Sequence, residues 1–93
     1  MMLPVIHSNG SSPESLLDGY DAAYDAVCRA RMALGGVEVN GRDYYPHGDY
    51  AATAASQEHR ARLEALANIE HDFELIISHI RNIMDERNAR RKM

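Results

Sequence analysis

Tryptophan is absent from this chain, phenylalanine and cysteine occur once each, and neither proline nor glycine follows Gly48. Each shortage excludes something. The lone Cys28 leaves no intrachain disulfide framework and fits a reducing cytoplasm. No stretch approaches the ~18 consecutive apolar residues of a membrane helix, and the opening MMLPVIHSNG lacks the basic start and longer apolar run of a secretion signal. Ten basic against fourteen acidic residues give a net charge of −4, which argues against duplex nucleic-acid binding by phosphate neutralisation. Arg87, Arg90, Arg91 and Lys92 are the local exception. A chain of 93 residues makes one modest domain, which buries a smaller share of its surface than a larger one and gains from association.

Chemical motifs are equally scarce. There is no Gly-rich phosphate loop and no nucleophile elbow, and Cys28 sits in mid-helix with no histidine nearby in sequence. His59, His71 and His79 fall on one helix without the one-turn spacing that brings two imidazoles to a metal. Asp18, Asp21, Asp25 and Cys28 are better spaced, but a hard-ligand set with one thiol suits no common metal. The expectation is therefore no catalytic residue, no metal and no cofactor. A small hydrolase, with a site built across a subunit interface, is the least favoured reading.

What is present is helical periodicity. Residues 1–12 read as an arm, in which Pro4 and the polar SNGSS separate Leu3, Val5 and Ile6 from the first helix. Ser11 with Glu14 offers a capping box, or Ser12 caps with Pro13 in the first turn. Leu16, Tyr20, Ala23, Val27, Ala30 and Leu34 then recur at three and four residues, with Leu17 and Tyr24 widening the stripe, so a helix is expected over about 13–34. Gly19 either permits close helix approach or is a tolerated weak spot. Gly35 and Gly36 end the helix, with a left-handed cap expected.

The loop is expected over 35–49, with Val37–Val39 and Arg42–Tyr45 as short strand-like arms around an Asn40-Gly41 turn and Asp49 as the next N-cap. A second helix is expected from about 50 to about 88. Its seam is read as Leu66, Ile69, Phe73, Ile76, Ile80 and Ile83, flanked by Leu63, Ile77 and Met84. The fold class is mainly α: a two-helix antiparallel hairpin with an irregular, β-like connection and a long second helix, in an oligomeric helical bundle. The hairpin domain covers residues 13–93.

Unequal helix lengths carry the oligomer expectation. At 1.5 Å per residue the helices span roughly 33 and 58 Å. Pairing Leu34 with residues 52–55 puts Pro13 beside residue 75 and leaves Ile76, Ile77, Ile80, Ile83 and Met84 over, an apolar patch of the kind that marks an interface. Either the arm folds back on it with Leu3, Val5 and Ile6, or a second copy of the chain covers it. The second copy is favoured because the arm is short and interrupted by Pro4.

The stretch Val39–Tyr50, VNGRDYYPHGDY, holds three of the six aromatic residues. Backbone needs account for Asn40, Gly41, Pro46, Gly48 and Asp49. Arg42, Asp43, Tyr44, Tyr45, His47 and Tyr50 remain as candidate ligand-binding residues. Tyrosine supplies contact area at low entropic cost, and arginine presents a planar fork to phosphate or carboxylate. The same set suits a nucleotide or a protein surface.

The element NGRDYYPHGDYA, followed by EHRARLEALANIEHDFELIISHI, resembles small helical proteins of tailed bacteriophages and prophages that place an NGRDYYP-like loop between two helices. The resemblance covers roughly Leu16–Ile80. It implies an accessory protein in the cytoplasm of a bacterial host that counters immunity. One form is an oligomeric sponge for a nucleotide immune signal; the alternative is an inhibitor or adaptor that clamps a host defence protein. Either way a small anionic or nucleotide ligand, or a host protein, is the expected partner beside the chain itself.

Overall fold

The computed structural model describes residues 1–91 and contains two helices, α1 (Pro13–Gly35) and α2 (Ala51–Arg91). Lys92 of the basic cluster lies outside the described residues. Ser12 is the cap of α1: its hydroxyl accepts from the Ser15 amide at 3.1 Å, with Pro13 in the first turn. The helix stops at the glycine pair without a left-handed cap. Gly36 has φ −79°, and its amide donates to the carbonyls of Met32 and Ala33. Helix α2 opens through a hydrogen bond that the Ala51 amide donates to the Gly48 carbonyl, and Asp49 makes no side-chain hydrogen bond there. Uninterrupted by glycine or proline, it runs to Arg91, a turn beyond the expected 88.

No strand forms among the described residues. The connection is two 3-10 turns, Gly41–Asp43 and Tyr45–His47. The Asn40 carboxamide accepts from the Arg42 amide at 3.0 Å, which nucleates a tight turn where two three-residue strands had no sheet to join. Gly48, with φ 118°, is the one described residue in the left-handed region and redirects the chain into α2.

The connection folds back along the start of α2 rather than leaving it bare. A Cβ added at Gly41 would sit 3.8 Å from Ala52 Cβ, and half-buried Val39 lies over Ser56, His59, Arg60 and Leu63. This sets the register of the hairpin. The Tyr24 hydroxyl reaches Glu74 and the Cys28 thiol reaches Glu70, each at 2.8 Å. Extended along both helices, those pairs bring Leu34 beside Glu64 and Pro13 beside Asp85. The expected pairing was about ten residues out of step, or roughly three helical turns. The connection occupies the length that α1 had been assigned.

With that shift, Ile76–Met84 is not left over. Ile76 and Ile77 are buried, Ile80 is 0 % exposed, and Ile83 and Met84 are half-buried within one chain. Helix α1 covers one side of this segment and the arm crosses another, where the Pro4 carbonyl accepts from His79 Nε2 at 2.9 Å. The face expected to meet a second copy is therefore internal. The expected seam differs at one position: Leu63, Leu66, Phe73, Ile76, Ile77, Ile80, Ile83 and Met84 are buried or half-buried, whereas Ile69 is 40 % exposed and Glu70 is buried in its stead. Tyr20 stacks edge-on against Phe73 with ring centroids 5.8 Å apart.

Candidate functional site

The six candidate residues of the connection are displayed at one end of the hairpin. Arg42, Asp43, Tyr45, His47 and Tyr50 are exposed, Tyr45 by 76 % and Tyr50 by 84 %, whereas Tyr44 is half-buried and belongs partly to the packing of the turn. The two 3-10 turns cause this display. Their three-residue period, with Pro46 fixing φ in the second, turns successive side chains outward around a tight backbone. Beneath the turns lies an open groove of about 400 Å³, lined by Val39, Gly41, Ala52, Thr53, Ser56, Gln57 and Arg60. Arg60 brings a guanidinium to this groove. Arg31 is engaged elsewhere, with Glu70 across the hairpin.

That engagement is the polar centre of the fold, and it was missed in the sequence. Glu70 is 7 % exposed on the inner face of α2. It accepts from Arg31 through both Nε and Nη2, the latter at 3.2 Å, and from the Cys28 thiol at 2.8 Å. One turn along, Glu74 accepts from the Tyr24 hydroxyl. Tyr24, Cys28 and Arg31 on α1 therefore each face a carboxylate on α2, and no buried side-chain nitrogen or oxygen among the described residues lacks a partner.

The charges respond accordingly. The Arg31 guanidinium, and then the Cys28 thiol, hold the Glu70 carboxyl below its usual range. The hydrogen bond to Glu70 pushes the Cys28 thiol up, and that to Glu74 pushes the Tyr24 hydroxyl well above the ordinary phenol range. A thiol held in its protonated form and an engaged carboxylate make a structural lock between helices, not an activated nucleophile. The signal available in sequence was the strict seven-residue series through Leu63, Glu70 and Ile77, which puts a carboxylate at a core position.

The acidic residues of α1 do not gather. Asp21 pairs across the hairpin with Arg81 at 3.7 Å, and Cys28 turns to Glu70 rather than to Asp25. No group of three or more histidine, cysteine, aspartate or glutamate side chains among the described residues is arranged to hold a metal ion. No helix among them is long and apolar enough to cross a membrane. No protein-family model, curated protein or solved structure matches the chain.

Proposed function

We propose that this chain is a non-catalytic recognition protein that acts in a bacterial host by presenting its connecting segment to a host protein, as an inhibitor or adaptor of a defence system. The observation that carries this reading is the display of Tyr45 and Tyr50 in solvent beside Arg42 and His47. Two nearly free tyrosines on a tip stiffened by Pro46 offer large rigid contact area, and tyrosine and arginine dominate the energetics of protein interfaces. The resemblance of NGRDYYPHGDY to phage-encoded loops supports the anti-defence setting.

A nucleotide sponge is the second reading, favoured by one feature. The groove under the turns has ligand-sized volume, a guanidinium from Arg60 and aromatic rings close by in sequence. Its openness requires a neighbouring chain to complete the walls. The protein-partner reading needs no such addition.

Pull-down from host lysate with the full chain tests both. A host protein retained by the wild type and lost in the Tyr45→Ala, Tyr50→Ala double variant is the expected result. If no host protein is retained, and cyclic or linear nucleotides instead raise the melting temperature in a manner abolished by Arg60→Ala, the sponge reading takes its place. A saturating ligand at a hundredfold excess over its Kd adds about 2.7 kcal/mol, which a thermal scan resolves. Neither outcome refutes both readings.

A further inference from the structure

The hairpin has two unlike long faces. Asp21 meets Arg81 and Tyr24 meets Glu74 on one of them, which fixes how both helices are rotated about their axes. At about 100° per residue, the opposite face then carries Ala23, Ala26, Ala30 and Ala33 from α1, with Ile69 of α2 level with Ala30. No charged residue falls within that arc of α1. Ala26, Ala30, Ala33 and Ile69 are exposed, and Ala23 is half-exposed.

The total surface favours a second copy as the occupant of such a face. The chain exposes 7162 Å², whereas a compact monomer of 10.4 kDa exposes roughly 5,400 Å², an excess of roughly 1,800 Å². Its radius of gyration is 20.0 Å against about 12 Å for a compact domain of this length. A stable dimer buries roughly 800 Å² or more on each partner, and permanent ones considerably more, so the excess is of the size that one self-association removes. The described core holds only three large buried hydrophobic residues, Ile76, Ile77 and Ile80. A two-layer core is what a chain of this kind lacks.

We infer that a second copy of this chain packs on the alanine face, forming a four-helix bundle in which α1 and α2 of each copy contribute one layer. Small side chains let the helix axes approach to about 8 Å, and Ile69 supplies the bulk that fills the space between them. The bundle leaves the connecting segments and the Asp21–Arg81 face in solvent. The inference is independent of what the connecting segment binds.

Light scattering of the full chain at micromolar concentration is expected to give twice the 10.4 kDa chain mass, with a melting temperature that rises with protein concentration. Ala30→Glu and Ile69→Glu, each placing a charge in the seam, are expected to weaken association at least tenfold, whether the separated chains stay folded or not. Asp25→Arg, on the solvated side of α1, is expected to leave a folded dimer. A wild type that stays monomeric with a concentration-independent melting temperature overturns the inference. So does an oligomer whose mass survives both glutamate substitutions, which would place the contact on another face.

Discussion

Replacing Ile80 by alanine tests the register of the hairpin directly, because that residue is fully enclosed by its own chain. The change removes three carbons from a site with no solvent exposure, worth about 2.4 kcal/mol at 0.8 kcal/mol per buried methylene. The helices on either side cannot collapse fully onto the gap, so the cavity brings the cost to about 3–4 kcal/mol. A domain of this size is stable by roughly 5–14 kcal/mol in all, and each kcal/mol moves its melting temperature by about 4–8 °C. A drop of roughly 15 °C or more is therefore expected by circular dichroism, with a matching shift in the urea midpoint at unchanged slope. The comparison is Ile83→Ala, whose half-buried side chain should cost clearly less. If Ile80→Ala costs under about 1 kcal/mol at a protein concentration low enough to separate any dimer, the segment is not packed against α1, and the ten-residue register is wrong.

Acid titration tests the Glu70 lock. Its carboxyl is held below the ordinary carboxylate range by Arg31 and Cys28, so its contribution is fully present above that range and is lost as the pH falls through the lowered folded value. Melting temperature against pH should fall on the acid side in the wild type, and Glu70→Gln should flatten that limb. Because Glu70 raises its thiol, Cys28 should react slowly with an alkylating reagent at pH 7–8 and faster in Glu70→Gln, as followed by mass spectrometry. Removing the α1 cap by Ser12→Ala should cost about 1 kcal/mol, a melting shift of several degrees. An unchanged midpoint would show that the Ser15 amide finds another acceptor.

The tyrosine-rich stretch was legible as a candidate because its side chains exceed what turning the chain requires, and five of its six nominated side chains are exposed. Its conformation was not legible. Val37–Val39 has strand-like alternation, but strand formation needs a neighbour to pair with, and the local hydrogen bond that the Arg42 amide donates to the Asn40 side chain wins where none exists. The polar lock was hidden for another reason. Glu70 stands among Glu64, His71, Asp72 and Glu74, a run that reads as a solvated face until α1 supplies Arg31 and Cys28.

The amino-acid sequence by itself determined the two helices, their near ends and the long uninterrupted run of α2, because caps, glycine pairs and the absence of breakers act within a turn of the chain. Which residues of α2 face inward was decided only in the tertiary structure. Leu66, Phe73 and Ile80 belong equally to a series through Ile69 and to one through Glu70, so spacing alone leaves open which of those two neighbours faces inward. The docking of the connection on the first turns of α2 resolved it. That contact slid α1 along its partner, enclosed Ile76–Ile80 within one chain and turned Ile69 with the alanine face to the outside.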